Sequence, residues 1–376
     1  MNAIFDVAVV GLGAMGSAAA FHLAQRGQRV LGLDRFTPPH SFGSSHGQSR
    51  IIREAYYEDA RYVPLVQRAY QLWNELEQLA GCRLFRQTGG LAIGRPDGEL
   101  VSGVRHSAGV HGLAHEVLTA GQVRDRFPAF QAADPFVGVW EARASILFPE
   151  ACIQAHLDLA RRAAVTLRFD EPVAGWEMDG ELVRLVSSQG EYRARQLVIS
   201  SGAWTRQLLP GFDPPLTVER QVLYWFDPAG NARHFQPDRC PIMLWEYQPD
   251  RIFYSFPDLG EGVKVARHHQ GEMTDADHIE RTVKDQEIDA MRALLQQHMP
   301  DTNSRLRNCA VCMYTDTPDL HFLLDFLPGH PQVLIASPCS GHGFKFSSVL
   351  GEIMADLLTN GRAAFDLSLF SFRDRR

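Results

Sequence analysis

Residues able to do chemistry gather in three parts of this chain. Near its end, Cys309 and Cys312 stand in NCAVCMYTDTPD, and Cys339 and His342 follow in CSGH. Two cysteines at that spacing suggest a redox dithiol or half of a zinc site, and Cys339-x-x-His342 could supply the other half. In the middle, GVKVARHH carries Lys264, Ala266 and His268. On an extended strand these three point to one face. A lysine and a histidine there could hold fixed charge beside a reacting group; an edge strand with solvent-facing charges gives the same pattern. Near the start, residues 38–58 form a loop rich in proline, glycine and serine that holds His46, Arg50, Arg53, Tyr56 and Glu58. The planar fork of arginine suits a carboxylate, and a solvated loop with surface arginines reads the same way.

The elements that must position these groups begin with a glycine pattern. Phe5 to Val10 is a short apolar run, expected as a buried parallel strand. Gly11, Gly13 and Gly16 follow as G-x-G-x-x-G, then a helix from Ala14 to Gln25 that should stop at Gly27. A second strand, Arg29 to Leu33, ends in Asp34. Strand, turn, helix, strand and acid together make a dinucleotide-binding unit. The helix N-terminus offers N–H groups to pyrophosphate, and Asp34 can take a ribose hydroxyl pair. The motif does not separate NAD from FAD. A later strand, QLVIS, runs into Ser201-Gly202-Ala203-Trp204, so the nucleotide portion is expected to be discontinuous.

Alternating stretches such as RQVLYWF and RIFYSF predict half-buried antiparallel strands between 218 and 299. LFRQTGGLAIG predicts paired strands with a glycine turn, and Ala120 to Phe127 a short helix. The two regions should join in one mixed sheet that roofs the cofactor and excludes water. Leu334 to Ser337 is another nucleotide-portion strand, followed by a glycine turn that opens a helix ending near Gly361. That strand lies inside the C-x2-C-x26-C-x2-H span and counts against a zinc ribbon. A dithiol should open a helix, whereas Val311, Met313, Tyr314 and Thr315 favour extended chain.

At 376 residues the chain suggests two interwoven domains. Hydrophobic residues are 45%, charged residues 22% and the net charge is −7, which points to neither nucleic acid nor an anionic membrane. No stretch reaches the roughly 18 apolar residues of a spanning helix. The N-terminus has no basic region of a signal peptide. Six scattered cysteines fit a reduced, cytoplasmic protein.

GSSHGQSRIIREAY closely resembles the flavin-binding stretch of the monomeric sarcosine oxidase, N-methyltryptophan oxidase and pipecolate oxidase family. The resemblance extends along the chain through FRQTGGLAIG, VISSGAW, YSFPDLGEGVKVARHH, CMYTDTPD, SGHGFKFSS and FDLSLFSF. It implies an α/β fold with a discontinuous Rossmann-type FAD-binding domain (1–84, 145–217 and 305–376) and a mixed-sheet substrate domain (85–144 and 218–304). It implies FAD, tethered covalently through Cys312, and a monomer acting on a secondary amino acid and O2. An N-methyl amino acid such as sarcosine would yield the primary amino acid, formaldehyde and hydrogen peroxide; pipecolate and N-methyltryptophan are the alternatives. Gly11, Gly13, Gly16, Asp34, Arg35, Ser44, His46, Ser49 and Arg50 match cofactor-binding positions. So do Val173, Gly202, Trp204, Cys312, Met313, Gly341, Gly343, Phe344 and Lys345. Lys264, His268, Arg50 and His46 match catalytic positions, Lys264 as the group that promotes reaction with oxygen. Arg53, Lys345, Tyr254 and Tyr314 match substrate positions, with Glu58 in a loop that admits substrate. Pro338 and Cys339 depart from the family pattern of a glycine followed by an aromatic or aliphatic residue, which leaves the choice of amine open.

Overall fold

The structure is a computed structural model that describes residues 4–209 and 211–372. Strand Ile4–Val10 lies in parallel between Gly190–Ile199 and Val30–Leu33. Its run of apolar residues follows from burial on both faces, the condition of a parallel sheet covered by helices. Thr166–Arg168 extends the parallel set beyond Val30–Leu33, and His330–Ser337 extends it beyond Gly190–Ile199. The hairpin Val173–Asp179 with Leu182–Ser187 and the strand Leu323–Leu327 complete eight strands. Segments far apart in sequence thus build one sheet.

Helix Ala14–Gln25 starts where the glycine pattern predicts it and packs against Pro149–Arg162 and Ser347–Asn360. Small residues let the last two-helix contact close: a Cβ on Gly351 would stand 2.7 Å from Ala18. Ser347–Asn360 ends at Gly361, whose φ of 68° is the left-handed conformation glycine adopts without steric cost.

A second sheet has nine strands and mixed pairing. Gly90–Gly94 pairs in parallel with Ile242–Gln248, while Arg251–Phe256, Val263–His268, Thr217–Phe226 and Leu306–Asp316 follow in antiparallel order. Alternation divides this sheet into two faces. Val222, Tyr224, Phe226, Val263, Val265 and Val311 pack on helix Asp285–His298 through Met291, Leu294 and Leu295. Leu223, Trp225, Ala266 and Cys312 cluster on the other face. Residues 306–316, grouped by sequence with the nucleotide portion, pair with Thr217–Phe226 in this second sheet.

The hairpin expected in LFRQTGGLAIG does not form. Phe85–Gln87 pairs with Ser145–Leu147 in a three-stranded sheet, and Gly90–Gly94 enters the nine-stranded one. The cause is local. Gly89 has φ 72°, and a Cβ there would stand 1.8 Å from the Trp140 ring. The two glycines let the chain pass under that indole and change sheets rather than turn back.

Candidate active site

A cavity of about 450 Å³ is lined by residues of both large sheets and of the glycine-rich turns between their strands and helices. At one end stands the G-x-G-x-x-G turn. Gly11 has φ 89° and lies so close to Ser200 that a Cβ would be 2.6 Å from its carbonyl oxygen. A Cβ on Gly16 would be 1.8 Å from the Gly11 carbonyl oxygen, so this glycine sets helix against turn rather than lining the cavity. The Asp34 carboxylate accepts hydrogen bonds from the N–H groups of Leu12 (2.6 Å) and Phe36 (2.8 Å). It joins the glycine turn to the second strand and faces the cavity. Arg35 pairs with Asp277 at 3.0 Å and lies 5.1 Å from the rings of Phe36 and Trp204. Gly13, Arg35, Val173, Gly202 and Trp204 all line this end.

The middle of the cavity is walled by the second sheet. Cys312 is buried, with its thiol 3.9 Å from an Arg50 Nη2 and 3.6 Å from the Ser44 carbonyl oxygen. Arg50 also donates to the carbonyl oxygens of Ser44 (2.6 Å) and Ser49 (2.8 Å). Met313, Tyr254, Ser44, Ser49 and Arg50 line the same stretch, with Gly341, Gly343 and Phe344 from the turn that precedes helix Ser347–Asn360.

Lys264 and His46 stand behind this wall, not on it. The Lys264 Nζ donates to the Gly47 carbonyl (2.7 Å), the Ser49 carbonyl (3.0 Å) and the Ser49 hydroxyl (3.1 Å). Burial, and then Arg50, push its ammonium well below the ordinary lysine range. Three matched acceptors nonetheless suit the three donors of an ammonium, and the geometry favours the charged form. The His46 imidazole, buried and near Arg50 and Lys264, is pushed down to about 3 and is neutral at any ordinary pH.

At the far end two cations converge. Arg53 is buried and donates to Glu58 at 2.8 Å. Lys345 is buried and donates to the Tyr56 hydroxyl (3.1 Å) and the His342 carbonyl (2.8 Å). Tyr56 shares a 2.6 Å hydrogen bond with His342 Nδ1, and the Arg53 guanidinium lies 4.5 Å from the Tyr56 ring. Burial, and then Arg53, lower Lys345 to about 7, while Glu58 works in the other direction. His268 shares a 3.2 Å hydrogen bond with the Tyr314 hydroxyl beside them. Sequence pattern gives neither Tyr56 nor His342 a part in holding Lys345, although both sit inside the most informative segments, REAYYED and SGHGFK. Their partnership spans 286 residues, and only the fold reveals it.

The four groups of the zinc reading are not brought together. On strand Leu306–Asp316 the spacing of three sends Cys309 and Cys312 to opposite faces, Cys309 into the cluster under helix Asp285–His298. His342 has both ring nitrogens engaged, with Tyr56 and with the Leu320 carbonyl.

The profile of the FAD dependent oxidoreductase family, DAO, matches residues 6–357. The chain belongs to this family. Monomeric sarcosine oxidase of Streptomyces avermitilis is 44% identical to this DAO-family chain, over 99% of it and 98% of the relative. Monomeric sarcosine oxidase of Bacillus sp. (strain NS-129) is 41% identical over 99% and 97%. N-methyl-L-tryptophan oxidase of Citrobacter koseri is 34% identical over 97% and 98%. Among solved structures, NikD, an unusual amino acid oxidase essential for nikkomycin biosynthesis, superposes with a TM-score of 0.85 at 25% identity, covering 98% of this chain and 97% of that one. Glycine oxidase of Geobacillus kaustophilus shares the fold, with a TM-score of 0.82 at 19% identity over 99% and 98%. This DAO-family protein is therefore an FAD-dependent oxidoreductase. Its residues fit the cofactor: a glycine turn without room for side chains, a helix N-terminus behind it, a buried acid for the ribose, and a cavity running on to fixed cations. Among the described residues no helix is long and apolar enough to cross a membrane.

Proposed function

We propose that this protein is an oxidase of secondary amino acids, acting on an N-methyl amino acid such as sarcosine. The observation that carries the reading is the pair of buried cations, Arg53 and Lys345, converging on one end of the cavity. A desolvated guanidinium and ammonium together form a carboxylate receptor. Glu58 now occupies Arg53, so an incoming carboxylate takes the place of that internal one. Fixing the carboxylate there would hold the adjacent C–N unit toward the Cys312 wall in one orientation. The relatives named for sarcosine and N-methyl-L-tryptophan support the substrate class.

FAD supplies a two-electron acceptor for the C–H next to nitrogen and a route for the electrons to O2, giving an imine that water hydrolyses and hydrogen peroxide. The chain's own part is position and charge. Asp34, Arg35 and the glycine turn hold the nucleotide end; Ser44, Ser49, Arg50, Met313, Gly341 and Phe344 bracket the ring. Tyr254, Tyr314 and His268 line the same cavity as Arg53 and Lys345. Lys264, anchored through Ser49, sets a positive potential where charge develops on oxygen. Cys312 is the tether: its thiol lines the cavity beside Arg50. We further propose a cytoplasmic monomer. Its cofactor portion would be 1–84, 145–217 and 305–376, less the strand Leu306–Asp316, which pairs elsewhere; its substrate portion would be 85–144 and 218–304.

A second reading keeps the chemistry and enlarges the amine, to pipecolate or N-methyltryptophan. Pro338 and Cys339 both line the cavity and would shape its wall. Peroxide release from purified holoprotein, compared among sarcosine, pipecolate, N-methyltryptophan and the matching primary amino acids, decides. Secondary amines should outpace primary ones, and silence with every secondary amine overturns the reading. Acid precipitation of two variants tests the tether. Cys309→Ala should keep a yellow pellet and Cys312→Ala should lose it.

A further inference from the structure

Three titratable groups meet just outside the cavity lining, and the proposed reaction uses none of them. Glu219 comes from strand Thr217–Phe226, Asp316 ends strand Leu306–Asp316, and His269 follows strand Val263–His268. His269 Nδ1 lies 3.4 Å from Glu219 Oε2 and 3.7 Å from Asp316 Oδ2. Glu219 is 7% exposed and Asp316 6%. Two carboxylates buried side by side oppose each other's charge: burial, with Glu219, pushes Asp316 up, while His269 works to keep both ionised. Burial opposes charge on His269, but Asp316 and Glu219 outweigh it and raise the imidazole to about 9.

The backbone puts that cation in an unusual place. An extended residue after His268 would send its ring to the opposite face of the sheet. His269 instead has φ 51°, a left-handed conformation that costs a histidine roughly 1–2 kcal/mol. The two rings therefore sit together, with centroids 4.2 Å apart. The Tyr314 ring lies 5.1 Å from His269. A Cβ on Gly341 would be 2.9 Å from both His269 Nε2 and His268 Cε1. His268, Tyr314 and Gly341 all line the cavity, whereas His269 does not.

We propose that the Glu219–His269–Asp316 cluster is a fixed charge behind the cavity wall, and that His269 is a positioning residue keeping His268 uncharged toward the substrate. This rests on the amino-acid oxidase reading above. His268 faces His269 along its own chain, Tyr314 from strand Leu306–Asp316, His342 and Lys345 from the turn before the last helix, and Glu58 from the early loop. Burial, and next His269, hold it well below the ordinary histidine range; Glu58 alone among these groups favours its charged form. A charged His268 would compete with Arg53 and Lys345 for the substrate carboxylate and repel the substrate ammonium. A neutral one does neither. The cluster thus leaves the carboxylate only one place to bind.

The test is a histidine NMR titration of the holoprotein without substrate, each ring assigned by substitution. Wild-type His269 should titrate above pH 8, and His268 well below the ordinary histidine range. In His269→Gln the His268 midpoint should rise by about one unit, a tenfold gain in proton affinity. In Asp316→Asn the His269 midpoint should fall by at least that much, which keeps the question answerable if His269→Gln does not retain FAD. With sarcosine, the acid-side fall in kcat/KM should begin about one pH unit higher in His269→Gln than in wild type. A wild-type His269 midpoint near 6.5, a His268 midpoint unmoved in His269→Gln, or one equivalent of divalent metal in the purified protein would overturn the proposal. Failure of sarcosine as a substrate would sink the oxidase reading while leaving the ring titrations to stand or fall alone.

Discussion

Lys345 donates to Tyr56 and His342, and its environment brings its proton within reach of neutral pH. A bound carboxylate favours the ammonium, so carboxylate affinity and lysine protonation are linked. The sign follows from a free-state value of about 7. Below it Lys345 is already charged and binding is at full strength; above it each further pH unit weakens binding up to tenfold. Acetate is a sufficient probe, and its dissociation constant can be read from the flavin spectrum. The constant should be flat below pH 7 and climb above it. Lys345→Gln should weaken acetate tenfold to a hundredfold at pH 6, the worth of a hydrogen bond to a charged group, and remove the climb. A climb that persists in the variant would assign the titration to another group. Sequence pattern shows that lysine and arginine are present near SGHGFK and SRIIRE, but not that Tyr56 joins them, since neighbours in space 289 residues apart leave no local signal. Lys264 and His46 illustrate the same limit: strand alternation gives the face of Lys264, but only packing places Ser49 between it and the cavity.

At the scale of elements, the local signals that read correctly are those the backbone itself enforces. Ala14–Gln25 begins and ends as its glycines dictate, and Ala120–Arg126 starts at a Thr119–Gln122 capping box. The pair of strands in LFRQTGGLAIG misread because two strands around a glycine turn also fit a chain that changes sheets, and the deciding contact, Trp140, lies far along the sequence. The nucleotide turn offers a sharper test of element packing. A methyl group on Gly16 meets the Gly11 carbonyl at 1.8 Å and the Ser200 hydroxyl at 2.6 Å. Two of these contacts are with the turn and strand that must approach the cofactor, so neither can yield without opening the turn. Gly16→Ala should therefore destabilise the fold by about 1–3 kcal/mol, the cost of overpacking a tight core. FAD content of the purified protein should fall with it. Gly27→Ala is the control, since a Cβ there meets nothing within 4 Å, and its cost should come only from its left-handed backbone. A Gly16→Ala protein with full flavin content and an unchanged melting temperature would show that the close approach is not needed.

Across the whole molecule, burial of imidazole rings sets the response to acid. His22 lies between helices Ala14–Gln25 and Ser347–Asn360 and is lowered to about 4, first by burial. Its neighbour His156, with the ring 6.5 Å away, is lowered well below the ordinary value by burial and by His22. His46 is lowered to about 3 and His298 to about 4, burial leading in each. Each of these rings takes up a proton more readily in the unfolded chain, near pH 6.5, than in the folded one. Stability is therefore complete above pH 6.5 and drains as pH falls toward 4, at about 1.4 kcal/mol per unit for each such ring. His269 acts oppositely: raised to about 9 by its carboxylates, its contribution is complete below pH 6.5 and drains as pH climbs from there to 9. The urea midpoint should thus be highest near pH 6.5, fall below it as the buried rings take up protons, and decline above it toward pH 9 as His269 loses its proton. His22→Leu with His156→Leu removes two of the acid-side rings from the helix interface without touching the cavity. That double variant should lose less stability than wild type between pH 7 and 5, by roughly 2 kcal/mol per ring removed. Equal losses in the two proteins would mean that acid opens the molecule elsewhere, and the rings that wall the cavity would become the next to replace.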